Sequence, residues 1–130
     1  MAEASEDVRR FLPLTPATFH ILLALAAGER HGYGIMQEVA STTEGQMRLG
    51  PGTLYRSIKQ LLEGGLIAEA GERTDPSLSD ERRRYYQLTD LGRRVAQAEA
   101  IRLSRLVAQA RERKLLEGLG SETRPGWEGL

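Results

Sequence analysis

The segment PGTLYRSIKQLLEGG, residues 51–65, restricts the fold of this chain more than any other part of it. Four apolar side chains recur at the spacing of one face of an α-helix: Leu54, Ile58, Leu61 and Leu62. The opposite face is polar and partly basic: Thr53, Tyr55, Arg56, Lys59 and Glu63. Proline favours a first helical turn and glycine a helix stop, so we expect the helix to begin at Pro51 and end at the glycine pair 64–65. Such a helix needs a core beneath one face and offers the other face to solvent or a partner.

Two further helices are predicted ahead of this segment. Thr15 and Pro16 form an N-cap followed by proline at the first helical position, and this helix runs to about Gly28. Its predicted core stripe is Phe19, Leu22, Leu23 and Ala26, widened by Ile21 and Leu25. The next helix runs from about Tyr33 to Thr43, with the core face Ile35, Met36, Val39 and Ala40. Residues 41–50 are polar, which predicts a loop with a very short strand as an option at 47–49.

A β-hairpin and a long helix follow. Residues 66–70 and 84–88 have strand character, and the spacer between them is rich in Gly, Pro, Ser, Asp and Arg, which predicts a hairpin with a long tip. Tyr85 and Tyr86 alternate across the second strand, so we expect one of them in the core and the other at the surface. A cap at Thr89 and Asp90 then starts a helix over residues 90–116.

The long helix carries more apolar surface than one small domain can cover. Its seam contains the residues that we expect to form a dimer contact: Val95, Ala96, Ala100, Leu103, Leu106, Val107 and Ala110. The alternative is a helix that packs only on its own domain. The predicted organisation is an N-terminal arm (1–13), a winged helix-turn-helix domain (14–89), a dimerisation helix (90–116) and a flexible tail (117–130).

The order of the elements predicts the fold class. It is mainly α with a small β-hairpin, a winged helix-turn-helix plus a long C-terminal dimerisation helix. In this architecture the third helix enters the major groove of DNA, and the hairpin, or wing, approaches the backbone or the minor groove. Three helices and a hairpin also occur in modules that bind no DNA, so the pattern alone leaves both functions open.

Composition limits the chemistry that the chain can perform. It has no cysteine and two histidines, and no second ligand stands at metal-binding spacing from either histidine. We predict no catalytic residues, metal site or cofactor, because neither a Ser/His/Asp group nor a phosphate-cradling glycine loop can be assembled. The acidic start and the absence of a long apolar run favour a cytoplasmic protein with no membrane contact.

The net charge of zero, taken alone, argues against a nucleic-acid partner. The charge is unevenly distributed, however. Residues 1–50 carry four basic and six acidic side chains, whereas residues 91–114 carry seven basic and two acidic ones. A neutral chain of this kind can still present a basic face.

Residues 14–94 contain the blocks LTPATFHILLALAAGERHGYGIMQEVA, GPGTLYRSIKQLLEGGLI and RRRYYQLTDLGRR. In this order and spacing the blocks closely resemble the PadR family of bacterial transcriptional regulators. GTLY followed by a helix and EGGLI, and HGY at the head of the second helix, are the more specific parts. The resemblance implies a winged-helix dimer, usually a repressor, joined through its C-terminal helix. One such helix followed by a short tail resembles the compact branch of the family.

The candidate DNA contacts come from three places: the third helix, the start of the second helix and the wing. They are Tyr33, Gly52, Thr53, Tyr55, Arg56, Lys59, Arg73, Arg82, Arg83 and Arg84. The resemblance implies that positions such as Thr53 and Tyr55 face DNA. The alternative for Tyr33 is packing on the third helix, and the alternative for Gly52 is a turn. Arg56 and Lys59 form at minimum a solvated face, with Glu63 as a partner of Lys59. The alternative for the wing arginines is pairing with Asp75, Asp80 and Glu81 in the same loop.

The resulting hypothesis is a dimeric, sequence-specific DNA-binding transcriptional regulator, a repressor released by a small-molecule or other signal. Its partners are double-stranded DNA with a pseudo-palindromic operator and a second copy of the chain. The alternative is a winged-helix protein–protein interaction module without DNA binding. A third hypothesis is a sensor with its ligand in the dimer interface, but the long helix has no aromatic side chain and Trp127 lies in the tail.

Overall fold

A computed structural model describes residues 5–74 and 82–118 of the chain. In chain order its elements are α1 (Glu6–Arg9), α2 (Pro16–Ala26), β1 (Arg30–His31), α3 (Gly32–Thr42), α4 (Pro51–Glu63), β2 (Ile67–Thr74), β3 (Arg82–Leu88) and α5 (Asp90–Glu112). The strands form one antiparallel sheet in the order β1–β3–β2. The predicted class, mainly helical with a small sheet and a long C-terminal helix, is confirmed.

The predicted starts of α2 and α4 are confirmed. The Thr15 hydroxyl accepts a hydrogen bond from the Thr18 N–H at 3.2 Å, and Pro16 follows it at the first helical position. In α4, Gly50 is the N-cap and Pro51 opens the helix. Each proline lacks an N–H that would in any case have no partner in the first turn.

The end of α4 is closed by its glycine pair. Gly65 adopts a φ of 78°, in the left-handed region that glycine enters without steric cost. The Gly65 N–H then donates to the Leu62 carbonyl at 3.1 Å, and the Leu66 N–H donates to the Leu61 carbonyl at 2.9 Å. This paired arrangement is a Schellman motif, which satisfies the last carbonyls of a helix and turns the chain sharply into the next element.

The buried faces of α3 and α4 agree with the predicted stripes. Ile35 and Val39 of α3 are buried, as are Leu54, Ile58 and Leu61 of α4. The three flanking residues in the two stripes are half-buried: Met36, Ala40 and Leu62.

The predicted core face of α2 is confirmed at Ile21, Leu22 and Leu25 and was wrong at two other positions. Leu23 is 45% exposed and Ala26 is also exposed. The fully buried face also includes Ala24, and α2 packs against α3 and β3. Because α2 is apolar on nearly every side, periodicity did not distinguish its core face; its neighbours in the fold decide it.

The third strand of the sheet does not lie at residues 47–49, where the sequence allowed a very short strand. Residues 47–49 form no strand, whereas Arg30 and His31 pair with Tyr86 and Tyr85 of β3. A two-residue strand carries no periodic signal, and only the neighbouring β3 supplies its hydrogen-bonding partner. Tyr86 is 5% exposed and Tyr85 is half-buried, so the core assignment of one tyrosine is confirmed.

The predicted N-terminal arm contains α1, whose Val8 is buried. The Arg94 guanidinium of α5 lies 3.0 Å from the Asp7 carboxylate. Hydrogen bonds from Ser5 and from Arg94 lower the pKa of this carboxyl below its usual range. The ion pair is therefore present at neutral pH and is lost only when acid protonates Asp7.

By its internal contacts the chain divides into one unit of residues 1–99, which holds the core, and another of residues 100–130. The boundary falls within α5, which ends at Glu112 rather than at 116. Lys114 follows with a φ of 65°, a left-handed conformation that ends helical geometry. None of the helices that the structure describes is both long and apolar enough to cross a membrane.

Thr89 and Gly92 join the start of α5 to the end of α4. The Thr89 hydroxyl donates to the Gly65 carbonyl at 2.6 Å and accepts from the Gly92 N–H at 3.0 Å. The Thr89 N–H donates to the Leu66 carbonyl at 3.1 Å. Gly92 lies directly on this peptide, because a Cβ built there would lie 2.9 Å from the Leu66 carbonyl carbon and closer still to its oxygen. Only glycine allows this approach of helix to backbone.

We predict that Gly92→Ala destabilises the protein, because the added methyl group overlaps backbone atoms that cannot move aside. The expected loss in free energy of unfolding is about 2 kcal/mol or more, although alanine favours helix by about 1 kcal/mol. Urea denaturation followed by circular dichroism measures it. Gly52→Ala is the matched control, because no atom lies within 4 Å of a Cβ built at Gly52. Equal stability of the two variants would contradict the prediction.

Candidate nucleic-acid interface

The two faces of α4 differ in solvent exposure. Leu54 is fully buried, and Ile58 and Leu61 are 2% and 4% exposed. Every predicted contact residue of this helix lies on the other face and is exposed: Gly52, Thr53, Tyr55, Arg56 and Lys59. The core thus holds α4 in one orientation and leaves a row of hydroxyl, phenol and cationic groups at the surface.

Tyr55 links the outer face of α4 to the start of α3. Its ring lies against Gly32, where a Cβ would be 2.9 Å from the Tyr55 Cζ atom and closer still to the hydroxyl. Tyr55 nevertheless remains 51% exposed, and neighbouring Tyr33 is 43% exposed. Gly32 was not among the predicted site residues; its place in the HGY block was the available signal.

A cleft of about 290 Å³ lies where α4, α3 and β3 meet. Its walls are His31, Gly32, Tyr33, Tyr55, Arg83, Arg84 and Tyr86. Four predicted contact residues from three separate segments of sequence therefore converge here. Burial raises the pKa of the Tyr86 phenol, an effect that Arg84 partly opposes, so this hydroxyl stays protonated and can donate a hydrogen bond.

His31 is a structural residue at the head of α3. It is 6% exposed, its Nδ1 accepts a hydrogen bond from the Gly34 N–H at 2.9 Å, and its ring meets Tyr85 edge-on at 5.1 Å. An accepting Nδ1 carries no proton. His31 therefore acts as the N-cap of α3, a role indicated by its position immediately before the helix.

Two of the wing arginines, Arg73 and Arg84, are engaged within the chain. Arg73 lies 3.0 Å from the Glu29 carboxylate and 4.1 Å above the Tyr85 ring. Arg84 lies 3.8 Å from both Glu69 and Glu72. Among the described residues, Arg73 and Arg84 thus pair with carboxylates of their own chain; the predicted partners Asp75, Asp80 and Glu81 lie outside the described residues. Arg83 is half-buried, and the Arg82 side chain is also outside the described part.

The proposed dimer seam is exposed along only part of its length. Leu106 and Val107 are 47% and 46% exposed, and Ala100 is exposed. Leu103 and Ala110 are half-buried, as is Ala96, which packs against the core of residues 1–99. Val95 has to be removed from the seam, because it is fully buried in the core of its own chain. Trp127 lies outside the described residues.

Among residues 5–74 and 82–118, no group of three or more His, Asp or Glu side chains is arranged to hold a metal ion. A second groove, of about 410 Å³, lies beside β1 and α3 and is lined by Glu29, Arg30, His31, Gly34, Gln37, Glu38, Ser41 and Tyr85. Arg30 and Glu38 pair across it at 3.4 Å.

Comparison with known proteins agrees with this geometry. The sequence model of the transcriptional regulator PadR-like family matches residues 21–98. A transcriptional regulator from Clostridium thermocellum is 23% identical, with a TM-score of 0.57 over 81% of this chain and 96% of its own. RosR from H. salinarum is 25% identical, with a TM-score of 0.57 over 86% of this chain and 94% of its own.

Bacillus subtilis PadR, solved in complex with operator DNA, is 22% identical with a TM-score of 0.55, over 64% of this chain and 46% of its own. No curated protein matches the chain. The structural likenesses establish the winged-helix fold, and the family match covers more than half of the sequence. This chain therefore belongs to the PadR-like family of transcriptional regulators and is a regulator rather than an enzyme.

Proposed function

We propose that this chain is a dimeric, sequence-specific DNA-binding repressor that reads DNA with α4. The observation that carries the proposal is the separation of faces on that helix. Three buried leucine and isoleucine side chains hold it, while Thr53, Arg56 and Lys59 point to solvent. A rigidly held helix with a polar, cationic outer face suits the major groove, where base edges offer hydrogen-bond donors and acceptors.

The neighbouring groups suit the DNA backbone. Arg56 and Lys59 supply cations for phosphate or guanine, and the phenols of Tyr33 and Tyr55 border the cleft beside Arg84. No atom lies within 4 Å of a Cβ built at Gly52, and its φ is not positive. Steric crowding and backbone strain within the chain therefore do not explain why this residue is glycine. Close approach of DNA to the start of α4 does account for it. B. subtilis PadR bound to operator DNA supports this use of the fold.

A dimer completes the proposed reader. Leu106 and Val107 present apolar surface on α5, and pairing of two such helices would place two α4 helices in successive major grooves. Half-sites then lie about 34–36 Å apart, which requires a pseudo-palindromic operator. Bound at a promoter, the dimer blocks transcription. A small molecule or another signal that favours a different spacing of the two α4 helices releases it.

The double substitution Arg56→Ala, Lys59→Ala tests the assignment of α4. We expect operator affinity to fall by about tenfold to a hundredfold, and the salt dependence of binding to become shallower by about one to two phosphate equivalents. Fluorescence anisotropy on the protein's own upstream DNA, between about 50 and 200 mM salt, measures both quantities.

Arg93→Ala, Arg113→Ala is the matched control for that experiment, since it removes the same charge from exposed positions on and after α5. Control affinity should stay close to that of the unchanged protein. An equal loss in both double variants would assign the effect to overall charge rather than to α4. Salt-independent binding, or none to any promoter fragment, would favour the protein-interaction module instead.

The double substitution Leu106→Glu, Val107→Glu tests the dimer. Placing charge in an apolar interface should convert the dimer to a monomer, and operator affinity should fall about tenfold or more because each chain then binds one half-site. Sedimentation velocity gives the oligomeric state. Leu115→Glu is the control, because Leu115 is 71% exposed and follows the end of α5. A folded, dimeric double variant would exclude this seam.

A further inference from the structure

Arg73 in the wing is held by three groups of its own chain. Its Nη2 group lies 3.0 Å from the Glu29 carboxylate and donates to the Ala70 carbonyl at 2.7 Å. Its guanidinium carbon lies 4.1 Å from the centre of the Tyr85 ring. A guanidinium group favours stacking on an aromatic ring and hydrogen bonding to a carboxylate that lies in the guanidinium plane. Glu29 comes from the turn ahead of β1, so the contact ties the wing to a separate part of the fold.

The strand register explains why an anion is favoured at this point. Arg73 on β2 stands directly opposite Arg83 on β3. Like charges in directly opposed positions repel each other and destabilise a strand pair. Glu29 places an anion 3.0 Å from Arg73 at this position of the strand pair. The side chains of Arg73 and Glu29 are 46% and 42% exposed, so solvent and other anions can reach the pair.

The cations of α4 are in a different state. Within the part of the chain that the structure describes, no carboxylate pairs with Arg56 or Lys59. Two arginines of the wing are paired instead, Arg73 with Glu29 and Arg84 more loosely with two carboxylates of β2. DNA can therefore meet the α4 cations directly, whereas at the wing a phosphate has to displace a carboxylate.

We propose that Glu29 is an internal competitor of DNA phosphate for Arg73, and so lowers the affinity of the wing for any phosphate chain regardless of sequence. This inference rests on the proposed function, in which Arg73 contacts the backbone. Exchange of Glu29 for phosphate leaves the Tyr85 stacking available, so Arg73 can keep its place while it changes partner. The cost of the exchange is that of one exposed ion pair, which restrains binding without preventing it.

Glu29→Gln tests the competition. The amide keeps the size of the side chain and removes its charge, so binding to a duplex of unrelated sequence at low salt should become about fivefold tighter, with a salt slope steeper by about one phosphate. Elution from immobilised heparin should shift to higher salt in parallel. Glu44→Gln is the matched control: it makes the same change in net charge at an exposed loop residue that has no ion pair among the described residues.

Two further variants separate competition from general charge. Glu29→Asp keeps the charge but shortens the side chain, so it should give a smaller gain in the same direction. Glu29→Gln combined with Arg73→Gln should bind no more tightly than Arg73→Gln alone, because the gain acts through Arg73. Circular dichroism confirms that each variant is folded. A gain equal to that of Glu44→Gln, or one that persists without Arg73, overturns the proposal.

The same measurements distinguish this inference from the proposed function. In one outcome, the unchanged protein does not prefer its operator to an unrelated duplex, but Glu29→Gln still binds heparin more tightly in an Arg73-dependent way. That outcome would refute sequence-specific binding and leave the competition standing. Operator selection by the unchanged protein with no Arg73-dependent gain would refute the competition alone.

Discussion

The contact between Thr89 and the peptide that follows α4 is the constraint on which the rest of the domain depends. One hydroxyl receives the Gly92 N–H at the start of α5 and donates to the Gly65 carbonyl at the end of α4. Gly92 lies against the Leu66 carbonyl, so the start of α5 is held against the turn that closes α4. Through this junction, the helix proposed to form the dimer begins at a defined place relative to the helix proposed to read DNA. Within this unit, a shift of the end of α4 therefore requires an adjustment at the start of α5, and the reverse.

The pairing of individual charges, rather than the net charge, determines which cations of this neutral chain are available to DNA. The cations of α4 are exposed, while Arg73 in the wing is paired with Glu29. In the proposed competition, this pairing weakens the attraction of the wing to any phosphate chain, because Arg73 is already occupied by Glu29. In the proposed function, the exposed cations make the first contacts and the paired ones join by exchange.

Much of the fold and part of the site were predictable from the sequence because their signals are local. The start, the end and both faces of α4 follow from Pro51, from the glycine pair and from four apolar residues at helical spacing. The α2 stripe was wrong in part because that helix is apolar on most sides, so Leu23 was assigned to the core and is exposed. Val95 was assigned to a partner for a related reason: an apolar seam on a helix does not say which body covers it.

By itself, the sequence determined the presence of helices α2 to α5, the start and end of α4, and that α4 has one apolar and one polar face, because caps, prolines, glycines and periodicity act within a few residues. Tertiary structure alone decided the partners: Arg30 and His31 as a third strand, Tyr55 against Gly32, and Glu29 beside Arg73. These contacts join residues from different elements. Their pairing depends on the register and packing of the sheet, which no local pattern specifies.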